Sequence, residues 1–148
     1  MIREPEGKVV KGLGGLYDTR TYDAERGEEH VLSRAKGNLR RDDARVLVGD
    51  NVRLRIDDTT PDGIVISEVL PRKNALIRPP MANLDILFIV LAAKKPTPVT
   101  ATLDKLIAIA EHNAITPVVV ITKNDLGEAE AERYAELYRK VGLDVFVT

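Results

Sequence analysis

The sequence predicts two domains of different class, a small closed β-barrel followed by an α/β sheet with helical crossovers. Three observations predict this. Residues 1–70 carry short β-type segments broken by glycines and charged turns, with no helical periodicity. From residue 84 the pattern becomes buried strand, amphipathic helix, buried strand, amphipathic helix, strand. Between them, residues 71–83 (PRKNALIRPPMAN) contain adjacent prolines and no periodicity. The expected division is therefore a barrel over 1–71, a connector over 72–83 and an α/β section over 84–148.

In the first domain the strand candidates are residues 7–18, 30–35, 46–56 and 63–70. Val46, Leu47 and Val48, then Val52, Leu54 and Ile56 at period two, read as a half-buried strand. Gly49-Asp50 and Pro61-Asp62-Gly63 supply turn chemistry. Four or five short strands in about 70 residues point to a small all-β barrel, of which the OB-fold is the common RNA-binding form.

In the second, residues 84–93 (LDILFIVLAA) form a nearly unbroken apolar run, the pattern of a strand covered on both faces. Leu103, Leu106, Ile107 and Ala110 then recur at i, i+3, i+4, i+7, which places them on one helix face. Residues 117–122 (PVVVIT) read as a second buried strand. Residues 128–141 read as a second helix, with Glu128, Glu130 and Glu132 at its start and Arg139 and Lys140 at its end, matching the helix dipole. Gly142 follows as a stop, and residues 144–147 begin a third strand. Tyr134 and Tyr138, one turn apart and in line with Ala131 and Val141, read as core residues.

Composition narrows the function classes. The chain has 148 residues, a net charge of −1 and no cysteine, which excludes disulfides, thiolate zinc sites and a cysteine nucleophile within it. A reducing, cytoplasmic home fits. No apolar run approaches the length of a membrane span, so no membrane partner is expected. His30 and His112 lie in different domains without a carboxylate cluster at ligand spacing, so neither is assigned a metal or a catalytic role.

The tetrapeptide Thr122-Lys123-Asn124-Asp125 carries chemistry. It follows a buried strand, at the end of the sheet where open α/β folds bind ligands. A Lys-X-Asp there can read guanine: the carboxylate accepts from N1–H and the N2 amino group, a donor pair adenine lacks, while the lysine stem covers the ring. A carboxylate left without those donors is costly, which gives discrimination. The bland alternative is a surface loop with a helix-capping Asp, or one in which Asn124 or Asp125 simply initiates the turn before Glu128. No phosphate cradle of the form G-x-x-x-x-G-K-[ST] precedes or follows it in these residues. Either the chain is no GTPase, or its phosphate loop comes after the base-reading motif.

That order, with several specific strings, resembles the circularly permuted ribosome-biogenesis GTPases that act with the small ribosomal subunit, the RsgA/YjeQ family. The resemblance runs through Ala35-Lys36-Gly37-Asn38-Leu39-Arg40, Val48-Gly49-Asp50-Asn51-Val52, Pro71-Arg72-Lys73-Asn74-Ala75-Leu76 with Arg78-Pro79-Pro80, Ala82-Asn83-Leu84-Asp85, Leu103-Asp104-Lys105, Ala110-Glu111 and residues 122–126. It departs at Thr122, where the family usually has asparagine; threonine can still hydrogen-bond there. The resemblance implies a P-loop GTPase domain with GTP or GDP and Mg, acting in late maturation of the small subunit, and a monomeric full-length protein. It also implies that the phosphate loop and a zinc-binding domain lie beyond these residues. No catalytic residue or metal ligand is then expected in this chain, which alone should be inactive and hold no cofactor.

Arg34, Lys36, Arg40, Arg41, Arg45, Arg53 and Arg55 give seven positive charges, against Asp42, Asp43 and Asp50, for a local net of +4. The five from Arg34 to Arg45 are the candidate RNA-binding residues, phosphate contact being their natural chemistry. A solvated mixed-charge surface is the alternative. With only Tyr17 and Tyr22 as aromatics in residues 1–80, folded ribosomal RNA suits better than splayed bases. A second function class stays open: a stand-alone OB-type RNA-binding module whose α/β half is a scaffold or docking domain without enzymatic activity.

Overall fold

The structure, a computed structural model, describes residues 1–40 and 45–148. It separates into two compact units, Met1–Leu84 and Asp85–Thr148.

The first unit is a closed barrel. Its strands are β1 (Ile2–Arg3), β2 (Glu6–Leu13), β3 (Leu16–Asp23), β4 (Gly27–Ala35), β5 (Asn51–Asp57) and β6 (Ile64–Val69). They run in the order β1-β5-β2-β3-β4-β6, and a further β5–β6 pairing closes the ring of five from β2 to β6. All contacts are antiparallel except β4 with β6. This is an OB-like barrel, with bulge-type register shifts at Val9/Lys11 and Arg53/Leu54 that help it close.

Residues 7–18, expected as one strand, are a hairpin. Gly14 and Gly15 both take positive φ (60° and 82°), so Leu13 pairs directly with Leu16. Two consecutive left-handed residues form the tight turn whose twist suits a hairpin, and glycine accepts it without a Cβ penalty. The period-two reading of Val52, Leu54 and Ile56 holds. These side chains pack with Val9, Ala35, Leu39, Val46 and Ile66 in the barrel core. The core also takes in Ser33 of β4 and Thr19 and Thr21 of β3, and the polarity of the two threonines conceals β3 from a hydrophobic pattern. Thr21 Oγ1 donates to the Glu6 carbonyl at 2.8 Å and Ser33 Oγ to that of Tyr17 at 3.3 Å, so burial leaves them paired.

The segment expected as a connector folds with the barrel unit. It carries a short hairpin of β7 (Ala75–Leu76) and β8 (Met81–Ala82). The Ala82 N–H donates to the Val48 carbonyl at 2.9 Å. Gly49 permits that approach: its φ is +93°, and a Cβ there would stand 2.0 Å from the Ala82 carbonyl oxygen.

The second unit is a parallel sheet in the order β11-β10-β9, from β9 (Ile86–Ala92), β10 (Thr116–Thr122) and β11 (Asp144–Val147). The crossovers are α1 (Thr100–His112) and α2 (Glu128–Lys140). Both helices pack on one face, where Leu103, Ala131, Tyr134, Ala135 and Tyr138 meet Ile89, Leu91, Val119 and Ile121. Leu106, expected on the buried face of α1, lies on its flank and is exposed, while Ile107 packs against this core. Because both crossovers share a face, β9 is covered on one side only. Phe88 and Val90 on its other side are 61% and 64% exposed, and Phe146 of β11 is 60% exposed. Among the described residues no helix is long and apolar enough to cross a membrane.

Candidate functional site

In the second unit, the motif sits where β10 ends. Thr122 is its last residue, and its hydroxyl donates to the Leu91 carbonyl of the neighbouring strand at 3.2 Å. Threonine therefore braces β10 against β9. Lys123 follows in the left-handed conformation (φ 60°, ψ 39°), an uncommon state for a residue with a Cβ and one that concentrates at ligand sites. It turns the chain sharply into a 3-10 turn over Asn124–Leu126. The Asn124 N–H donates to the Thr148 carbonyl at 3.2 Å, tying the loop to the end of β11.

Of the alternative reading, the turn before α2 is present and opens at Asn124, while neither Asn124 nor Asp125 caps the helix. The N-cap of α2 is Gly127, and no side chain bonds there. Asp125 is exposed. Lys123 Nζ donates to the Lys95 carbonyl at 2.6 Å, and Lys95 is itself left-handed (φ 54°). Two lysines in that conformation, at the C-terminal ends of adjacent parallel strands, are thus joined by one hydrogen bond. Beside them Lys94 pairs with Glu130 at 3.2 Å. The Glu130 carboxyl lies below its ordinary pKa, chiefly through its own backbone N–H and then through Lys94. The Lys94–Lys95 loop, just beyond the end of β9, is a neighbour of Lys123 that no sequence pattern marks. Its signal is position, since open α/β sheets bind ligands at the carboxyl ends of their strands.

In the barrel unit, Arg34 is exposed on β4 and Lys36 just beyond it. Arg40 ends the 3-10 turn Gly37–Arg40, and Arg41 lies outside the described residues. Arg45 is exposed. Two members of the charge count are already engaged. Arg53 bonds Glu68 at 2.7 Å and Glu6 at 3.1 Å. Asp50 is fully buried and belongs to Arg72, whose Nε and Nη2 meet its two oxygens at 2.7 and 2.8 Å. That pairing, chiefly its hydrogen bond, raises the Arg72 pKa further above its ordinary value. One cation and one anion leave the count together, so the local net of +4 is unchanged.

His30 Nδ1 lies 2.9 Å from Asp18 Oδ1, an exposed surface pair. Among the described residues no group of three or more His, Cys, Asp or Glu could hold a metal ion.

Comparison with known proteins accounts for both units. Residues 69–148 match the family model of the RsgA GTPase, and residues 6–65 that of the RsgA N-terminal domain. The small ribosomal subunit biogenesis GTPase RsgA 2 of Listeria innocua is 40% identical over 147 residues, 97% of this chain and 48% of that protein. The Bacillus subtilis protein of the same description, RsgA, is 36% identical over 149 residues, 97% of this chain and 49% of its own. The crystal structure of YloQ, a circularly permuted GTPase, superposes with a TM-score of 0.78 at 34% identity, over 99% of this chain and 52% of that one. YjeQ from Thermotoga maritima superposes with a TM-score of 0.77 at 30% identity, again over 52% of its chain. The chain spans about half the length of the curated relatives it matches.

Proposed function

This chain belongs to the RsgA family of GTPases, and from that premise we propose that it supplies the guanine-reading and RNA-binding parts of a GTPase of small-subunit biogenesis. The observation that carries the proposal is the placement of Lys123 and Asp125. They stand on the loop at the carboxyl end of β10, with no side chain of that loop spent on capping α2.

Asp125 accepts guanine N1–H and the N2 amino group, and the Lys123 stem lies over the base. Thr122 and Asn124 hold the loop to β9 and to the end of β11 through Leu91 and Thr148. The Lys95 carbonyl fixes the Lys123 ammonium. Adenine presents a bare N1 acceptor and no N2 amino group, so it leaves the carboxylate unpaired. GTP or GDP with Mg is the cofactor pair of the whole protein. By itself the 148-residue chain does not hydrolyse GTP, because transition-state stabilisation in this chemistry needs a phosphate cradle that its sequence lacks. On the barrel, Arg34, Lys36, Arg40, Arg41 and Arg45 contact ribosomal RNA of the small subunit through phosphates. A cytoplasmic, monomeric protein is the corresponding setting.

Base contacts alone amount to a few hydrogen bonds, so affinity for this chain falls in the region of ~1 mM, with no titration at micromolar GDP. Amide NMR with millimolar GDP and ADP tests the reading. GDP should move the amides of residues 122–126 and of Lys95, ADP should not, and Asp125→Asn should erase the difference. An equal response to ADP, or no response in that loop, defeats the guanine assignment. Saturation at micromolar GDP defeats the claim that base contacts act alone.

A further inference from the structure

Most of the strings that carry the family resemblance in the first unit meet around one buried carboxylate. Asp50 has no solvent exposure. Its Oδ2 accepts the Leu47 N–H at 2.7 Å and Arg72 Nη2 at 2.8 Å, and its Oδ1 accepts Arg72 Nε at 2.7 Å. Arg72 Nη2 also donates to the Arg45 carbonyl at 2.8 Å. Nearby, Asn83 Nδ2 donates to the Gly49 carbonyl at 2.9 Å, and its Oδ1 accepts the Lys73 N–H at 2.9 Å. The Asn74 amide closes a two-bond ring with the Leu84 backbone, 2.7 Å in each direction. The backbone from Arg45 to Asp50 is thus gripped by residues lying more than twenty positions along the chain.

A buried carboxylate needs a cation, but charge alone does not explain this arrangement. The guanidinium uses two separate nitrogens to span both carboxylate oxygens and the Arg45 carbonyl, which a single ammonium cannot reproduce. The contact that the ion pair does not require is the one to Arg45. That residue closes the cationic stretch running from Arg34, and its own side chain is exposed.

We infer that Arg72 is a positioning residue for RNA binding: it fixes the backbone of Arg45, and so the direction in which the Arg45 side chain meets RNA, without touching RNA itself. The inference rests on the RNA reading of the barrel given above.

The test is binding of the 148-residue chain to purified small ribosomal subunits across a salt series, with thermal melting in parallel. Arg72→Lys keeps the charge beside Asp50 and gives up the fork. It should melt close to the parent, bind about three- to ten-fold more weakly at low salt, and lower the salt slope by about one cation. Since no charge is removed, a lower slope reports lost placement. Arg45→Gln should weaken the parent by a similar factor and add little to Arg72→Lys, because the two act through one contact. If Arg72→Lys melts early, the paired change Arg72→Met with Asp50→Asn removes the two charges of the pair together, keeps an acceptor for the Leu47 N–H, and carries the same comparison. Unchanged binding by Arg72→Lys, or full additivity with Arg45→Gln, overturns the inference and leaves the RNA reading standing. If Arg34→Gln, Lys36→Gln and Arg45→Gln all bind as the parent does, the RNA reading fails and the inference goes with it.

Discussion

The barrel and the three-stranded sheet handle strand edges in opposite ways. In the barrel, β2 to β6 each have at least two partners, the ring closes, and even the polar interior side chains Thr21 and Ser33 are bonded. In the sheet, among the described residues, only β10 has two partners, both helices cover one face, and the other face presents Phe88, Val90 and Phe146 to solvent. Closure removes edges altogether, whereas an open parallel sheet depends on whatever covers its faces. The sequence of the sheet unit therefore commits more apolar surface than the unit buries. Large side chains on the two faces of β9 should then differ sharply in what they contribute.

The largest expected effects come from the covered cores. Ile66 in β6 and Ile121 in β10 are both fully buried. Truncation to alanine removes buried methyl groups and leaves a cavity, at a cost of about 2–5 kcal/mol for each. Amide-exchange protection measured within β6 for Ile66→Ala and within β10 for Ile121→Ala should fall by that amount. A loss below about 1 kcal/mol for Ile121→Ala would mean that the helix-covered face is no true core, and the contrast with the barrel would widen.

An intermediate effect comes from the tie between α1 and α2. Tyr138 is buried, and its hydroxyl donates to Asp104 Oδ1 at 3.3 Å. Burial first, then the Asp104 charge and hydrogen bond, disfavour the phenolate and push its pKa from the ordinary 10.0 to about 12. Between those values the unfolded chain ionises and the folded one resists. The stabilising contribution is therefore complete below pH 10.0 and lost as pH rises through about 12. Tyr138→Phe should cost about 0.5–1.5 kcal/mol at neutral pH and abolish that part of the alkaline loss. Urea midpoints of both proteins at neutral pH and across this alkaline range give the comparison, and parallel slopes would remove Tyr138 as the cause.

What could be read in advance follows the same division. The helices, the three parallel strands and the Lys123–Asp125 loop were readable because their determinants are local: period 3.6 in α1, continuous apolar runs, acidic and basic ends on α2. The alternation of Val52, Leu54 and Ile56 marked β5 for the same reason. β3 escaped because Thr19 and Thr21 point inward, and a threonine interior looks like a surface to a hydrophobic pattern. The Gly14-Gly15 turn is written in the sequence, but the β-type residues on both sides of it make residues 7–18 look like one continuous run. Residues 71–83 read as a connector because the partner that holds Arg72 is Asp50, and no periodicity announces a bond across twenty-two residues. The β9 run suggested cover on both faces. Apolar content reports what a strand can bury, while the side taken by the crossover helices decides what it does bury.

The smallest expected effect tests that last distinction most directly. Phe88 and Phe146 are larger than either core isoleucine, and a reading by residue type would rank them as the costlier losses. They lie on the uncovered face, 61% and 60% exposed, where truncation opens no cavity and returns little buried area to water. Phe88→Ser with Phe146→Ser should therefore change stability by no more than about 0.5 kcal/mol at each site. It should also lower binding of a hydrophobic dye, since a contiguous apolar face is what such dyes report. The measurement is a urea midpoint at two protein concentrations. A loss above about 2 kcal/mol, larger at the higher concentration, would show that this face is covered in solution by another copy of the chain. The same loss without concentration dependence would show that the face is covered from within the chain. In either case the sheet, like the barrel, would have found a way to hide the surface its sequence commits.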